Sequence, residues 1–244
     1  MNQPIETRTP SVTSAPAALV GLLIAAAVLV VPTLYAIFVH APVEQQMGVV
    51  QKIFYFHVPC ANAMYLGFGV AAICSGVYLY TRDERWDAFA VAGAEVGLAF
   101  CAAVLISGPL WARKSWGVWW TWDPRLTTTM LAALVFLAYV VLRSFGGGEV
   151  EKRFASGLAI IGVLDIPLIK YSVQRWRGTH PTVISGQGGG IHADMVPALV
   201  LSFLLMLLIA VAFIWLRARA ERVRQSIAAL ELDAASSGLL EENA

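Results

Sequence analysis

The sequence of 244 residues is short of charge: only 14% are Asp, Glu, Lys or Arg, against about 25% in soluble domains. It has no excess of one sign either. A formal net charge of +1 gives no electrostatic footprint for nucleic acid. Cysteine is scarce, and Cys60, Cys74 and Cys101 show no CxxC spacing, so neither a disulfide framework nor a zinc site follows from them. Cys74 and Cys101 fall within apolar runs and read as small packing residues. No G-x-x-x-x-G-K-[ST] phosphate loop is present, which argues against a P-loop ATPase. No internal repeat is visible.

What the chain has instead is apolar length. Hydrophobic residues make up 58% of it, in runs of roughly 20, the length that crosses a bilayer as a helix. Six spans are predicted, over 17–39, 53–80, 88–110, 127–142, 154–171 and 195–216. The fold class expected is all-α, with residues 17–216 as one six-span membrane domain flanked by short tails, 1–16 and 217–244. The apolar run after the first tail is too long for a cleaved signal. The short turns holding Arg82, Arg85, Arg143, Lys152 and Arg153, with the segment Arg217 to Arg224, concentrate positive charge on one side. By the positive-inside rule that side is cytoplasmic, with both termini. Parity then puts His57, the 111–127 loop, His180, His192 and His40 on the outer face.

That loop contains Trp116-Gly117-Val118-Trp119-Trp120-Thr121-Trp122-Asp123-Pro124-Arg125, four of the eight tryptophans within seven residues. Tryptophan belts are ordinary at membrane interfaces, and a loop can fold its indoles onto itself. This density, closed by Asp-Pro-Arg, points instead to a platform for a flat apolar ligand. Neutral imidazole is a strong iron ligand, and a haem held on both axes needs one histidine from each of two elements. His57, followed by Pro59 at the start of the second span, and His180 in the fifth-to-sixth connection fit that need. His192, after a glycine run, is the rival second ligand, and His40 is the weakest candidate. Arg125, Arg113, Arg175, Arg177 and Lys114 are candidates to pair with propionates, arginine being favoured by its fork. Asp123 is expected to orient the loop, by capping the fourth span or pairing with Arg125. Glu95 and Asp165 are ionisable groups at membrane depth and therefore candidates for function.

The tryptophan segment, through Leu126-Thr127, resembles the WWD signature of the haem-handling membrane proteins of cytochrome c maturation. The Asp-Pro-Arg-Leu-Thr ending and the six spans resemble the CcmC branch. Lys52-Ile-Phe-Tyr-Phe-His57-Val-Pro59 is similar to that family's first histidine segment, and Ser172-Val-Gln-Arg-Trp176-Arg-Gly-Thr-His180-Pro181 to its second, departing from it at Arg177-Gly178. The resemblance implies a haem b site at the outer face of a bacterial inner membrane, bounded by His57, His180, Trp116, Trp119, Trp120, Trp122 and Asp123. It implies transfer of haem to a periplasmic chaperone of the CcmE type, beside the ATPase and permease subunits of an ABC transporter, with no enzymatic step in this chain.

Three other classes remain. A haem electron-transfer subunit places histidine pairs inside spans at two depths. A small-molecule permease has its site near the midplane on broken helices, where only Glu95 and Asp165 hint at one. A passive assembly subunit would use the tryptophan loop for docking. Reporters fused after residues 57, 122 and 180 are expected to read the same side of the membrane; opposite sides for 57 and 180 would exclude a single macrocycle reaching both.

Overall fold

Hydrocarbon offers a backbone amide no partner except another backbone group, so each long apolar run closes its hydrogen bonds internally as a helix. A computed structural model describes residues 14–145, 148–176, 178, 180 and 191–237. Among the described residues, six helical stretches are long and apolar enough to span a membrane: Ala17–His40, Val49–Thr81, Glu84–Trp116, Pro124–Phe145, Glu149–Ser172 and Ala193–Ser236. The protein is an all-α, six-span membrane protein. Among the described residues the one β pairing is an isolated bridge between Glu44 and Gly48.

The helices are α1 (Ala17–Tyr35), α2 (Phe54–Thr81), α3 (Glu84–Trp116), α4 (Pro124–Phe145), α5 (Glu149–Val163), α6 (Asp165–Trp176) and α7 (Val196–Ser236). α1 contains Pro32 and runs on into one π turn, Ala36–His40. α3 exceeds the predicted 88–110 at both ends. The Asp83 side chain caps its start by accepting from the Arg85 amide at 2.9 Å, and its last turns carry Trp111 and Trp116. The fifth span is broken at Leu164 into α5 and α6. Pro167 explains the break, since it lacks an N–H and its ring collides with the carbonyl four residues earlier, on Val163. Asp165 opens α6 with both carboxylate oxygens buried and, among the described residues, no hydrogen-bond partner for either, although the Ala132 backbone lies close by. α7 continues beyond 216 as the same helix, through the basic segment to Ser236.

α2 and α3 form a hairpin whose backbones touch. A Cβ on Gly67 would lie 2.6 Å from Gly97 Cα, and one on Gly93 would lie 2.7 Å from the Ala71 nitrogen. Gly93-x-x-x-Gly97 on α3 thus meets Gly67-x-x-x-Ala71 on α2, the small-residue contact that lets membrane helices approach closely. Beside this seam Phe68 stacks on Phe136 of α4, centroids 3.7 Å apart, within a core that includes Met64, Val91, Cys101 and Ile169. Cys60, Cys74 and Cys101 are all buried free thiols.

One end of the bundle is held by ion pairs. Asp87 of α3 accepts from Arg143 of α4 at 2.7 Å and from Gln225 of α7 at 2.9 Å. Glu95 takes both ends of the Arg217 guanidinium, at 2.5 and 2.7 Å. Arg217 and Arg224 also grip Glu221, which is fully buried. Glu95 is therefore a strut between α3 and α7. Gly67→Ala is expected to destabilise the protein in detergent by about 1–3 kcal/mol, the usual range for overpacking, while Gly69→Ala, whose Cβ meets nothing within 4 Å, leaves the thermal midpoint unchanged.

Candidate functional site

The tryptophan segment sits at the other end of the bundle, between the last turn of α3 and the first of α4. Gly117 ends α3 in the left-handed region (φ 76°), where only glycine is free of strain. The Arg113 side chain donates to the Gly117 carbonyl and its guanidinium lies 5.9 Å from the Trp119 ring centre. The chain then crosses to Asp123, which is buried and caps α4: its Oδ1 accepts from the Arg125 amide at 2.9 Å, and its carbonyl accepts from Thr127 at 2.9 Å. Pro124 follows as the first helical residue, where a missing N–H loses nothing.

Asp123 also reaches across to the fifth-to-sixth connection. Its Oδ2 accepts from the His180 amide at 3.3 Å. The two chains run so close there that a Cβ on Gly178 would lie 2.5 Å from Asp123 Oδ2. His180 is thereby set beside Trp116, ring centres 6.5 Å apart at 72°. Trp116 in turn meets Trp111 edge-on at 5.4 Å. The four indoles of Trp116, on the last turn of α3, and Trp119, Trp120 and Trp122, in the loop, do not form one flat shelf. Trp116 and Trp120 are half-buried, whereas Trp119 and Trp122 are 57% and 74% exposed, and Trp120 and Trp122 meet edge-on at 5.9 Å.

His57 approaches from α2. Its Nδ1 lies 2.8 Å from Ser107 Oγ on α3. The Ser107 hydroxyl also lies 2.7 Å from the Ala103 carbonyl, and when it donates there its oxygen accepts from His57 Nδ1–H. That tautomer leaves the lone pair on Nε2, the arrangement seen when a second group orients a metal-binding imidazole. His57 is near enough to His180 and Arg125 to feel both electrostatically. Arg125 joins three elements: its Nη1 donates to His180 Nδ1 at 3.2 Å, its Nε to the Ile169 carbonyl at 3.3 Å and its Nη2 to the Lys170 carbonyl at 3.2 Å.

His57, Ser107, Trp116, Asp123, Arg125 and His180 therefore share one neighbourhood. His192 does not join them in any contact among the described residues. It lines a cavity of about 310 Å³ with Pro42, Gln51 and Met195, and its Nδ1 accepts from the Asp194 amide at 3.3 Å. Arg175 is exposed in the last turn of α6, Lys114 is exposed at the end of α3, and His40 is exposed at the end of the first span. Arg177 lies outside the described residues. Sequence reading did not single out Ser107 or Gly178. Ser107 left a signal, a lone hydroxyl within an apolar run. Gly178 stood out only as a departure from the family's usual pattern, and its reason is the closeness of Asp123.

The fold defines a polytopic membrane protein, one end of which gathers His57, His180 and Trp116. The chain matches the family model described as "CcmC: Heme exporter protein C" over residues 7–233. It is 32% identical over 200 residues to "Heme exporter protein C" of Bradyrhizobium diazoefficiens, covering 80% of this chain and 76% of the relative. It is 33% identical over 164 residues to a "Putative cytochrome c biosynthesis ccmC-like mitochondrial protein" of Marchantia polymorpha, covering 67% and 70%. With "Heme exporter protein C" of Escherichia coli K12 it shares 34% over 147 residues, 59% of each chain. The chain belongs to the heme exporter protein C family.

Asp123→Ala is expected to lower stability by about 0.5–2 kcal/mol through loss of the cap, and to raise acrylamide quenching of the tryptophan fluorescence as the loop comes away from His180. Unchanged quenching would show that Asp123 does not hold the loop.

Proposed function

We propose that this chain binds haem between His57 and His180 during cytochrome c biogenesis and passes it to a partner. The observation that carries the reading is the His57–Ser107 hydrogen bond, because with Nδ1 engaged there Nε2 is the ring nitrogen left for a ligand, on a histidine close enough to His180 to feel it electrostatically. Two imidazoles from separate elements suit the two axial positions of a haem b iron. Trp116 lies where it can cover one edge of the macrocycle, and Trp119, Trp120 and Trp122 extend apolar surface outward from it. Arg113 lies over the Trp119 ring and is the best candidate to pair with a propionate; Arg125, Arg175, Arg177 and Lys114 are the others. His180 is preferred over His192 because it shares the neighbourhood of His57.

The role is transport rather than catalysis. Nothing in the paired-histidine site needs to form or break a bond in the cargo other than coordination to its iron. We place the site at the outer face of the inner membrane, with both termini in the cytoplasm. The partners we infer are a periplasmic haem chaperone of the CcmE type, which takes up the exposed haem edge, and the ATPase and permease subunits of an ABC transporter, which supply the energy that this chain has no motif to harvest.

Purified protein reconstituted with haem is expected to give a six-coordinate low-spin spectrum. His57→Ala and His180→Ala should each lose it and regain it with added imidazole, and Ser107→Ala should weaken haem affinity by about tenfold or more, as loss of an orienting partner does. Unchanged spectra in both histidine variants would exclude the axial assignment.

A further inference from the structure

The two candidate ligands are held in opposite tautomers. With the Ser107 proton on the Ala103 carbonyl, 2.7 Å away, His57 donates from Nδ1 to Ser107 and its Nε2 offers a lone pair. His180 Nδ1 lies 3.2 Å from Arg125 Nη1. A guanidinium has five N–H donors and no acceptor, so His180 Nδ1 must accept, and the proton of the neutral ring sits on Nε2. One imidazole is set for a metal while the lone pair of the other is occupied by an arginine.

Arg125 is well placed to hold it there. Its amide is pinned to Asp123 Oδ1, and its Nε and Nη2 are tied to the Ile169 and Lys170 carbonyls of α6. The same Asp123 holds the His180 amide. Ligation of iron through Nε2 moves the ring proton from Nε2 to Nδ1. Nδ1–H then faces a group that only donates, so the Arg125–His180 bond breaks as the iron bond forms.

We propose that Arg125 is a latch on His180: it withholds the second imidazole until haem is seated on His57, and it competes with iron for that imidazole when haem leaves. The proposal rests on the reading that His57 and His180 are the axial pair. Loading then has an order, His57 first and His180 second, and release runs in reverse, with Arg125 trapping the freed ring. Arg125 is a positioning residue in this scheme, acting on the cargo through His180.

Two measurements on the full-length chain test it. In haem-free protein with ¹⁵N-labelled histidine, assigned through single histidine variants, the latch requires the proton of His180 on Nε2 and that of His57 on Nδ1; His180 protonated on Nδ1 overturns it without any variant at position 125. In the haem-loaded, reduced protein, carbon monoxide binds only where an axial histidine has left. With Arg125→Met the carbon monoxide concentration for half-saturation is expected to rise about tenfold, because a competitor bound through a charge-assisted hydrogen bond is gone. Arg125→Lys, which keeps the charge but not the fork, should lie between. An unchanged or lowered half-saturation in Arg125→Met overturns the latch, the lowered value marking Arg125 as a mere prop for His180. His180→Ala separates the two levels of the claim. If it binds carbon monoxide more readily than the wild type while Arg125→Met is unchanged, the axial pair stands and the latch falls. If it behaves as the wild type, the axial pair falls and the latch with it.

Discussion

The Asp123 carboxylate is the junction on which the tryptophan end of the bundle depends. One oxygen caps α4 through the Arg125 amide, and the other takes the His180 amide from a connection more than fifty residues away. An ionised carboxylate is costly to bury unless its lone pairs are filled by donors, so folding α4 and docking the His180 segment are parts of one act. Gly178 is the complement of this constraint, since any side chain there would strike the carboxylate. The position of Arg125, and through it the state of His180, follows from where Asp123 fixes the first turn of α4.

The opposite end of the bundle uses charge in a different way. Glu95, Arg217, Glu221 and Arg224 form a closed network between α3 and α7, and Asp87, Arg143 and Gln225 extend it to α4. Every carboxylate there meets a cation directly, so the network resists change: removing one member leaves a buried charge unpaired, which is strongly destabilising. At the tryptophan end the charged groups meet backbone amides, backbone carbonyls and an imidazole. Such bonds can be exchanged for others of similar strength. The molecule thus has a fastened end and an exchangeable one, and the candidate site lies at the exchangeable one.

Much of this was legible in the amino-acid order. Six apolar runs of bilayer length allow little else but six helices, and the Trp116–Arg125 segment marks its own importance by density. Asp123 before Pro124 announces a helix cap by local chemistry alone. What was not legible depends on distance along the chain. Glu95 read as a candidate for function because Arg217, 122 residues later, could not be seen beside it. The Gly93-x-x-x-Gly97 seam is visible as a motif, yet its partner Gly67 is not. Pro167 marks a possible break in the fifth span, but a membrane helix tolerates proline when neighbours fill the gap, so the split at Leu164 required the fold. Arg125 read as a propionate partner from its sign and place, while its bond to His180 arises only once α4 and the following connection meet.

A carrier differs from a resident haem protein in what its ligands must do. Two imidazoles, each held by a hydrogen bond that favours the ligating tautomer, would retain iron tightly, and each further 1.4 kcal/mol would lower the rate or extent of release about tenfold. Here Ser107 favours ligation by His57, and Arg125 favours the opposite for His180. In the proposed scheme the unequal pair would keep haem oriented through one strong bond while the second stays exchangeable. The inequality costs no extra structure, because the same Asp123 that caps α4 sets Arg125 and His180 face to face. If His57 and His180 are the axial pair as proposed, a site built from a helix cap and a passing loop has a firm ligand from the helix and a yielding one from the loop, which is the division of labour that handing on a cargo requires.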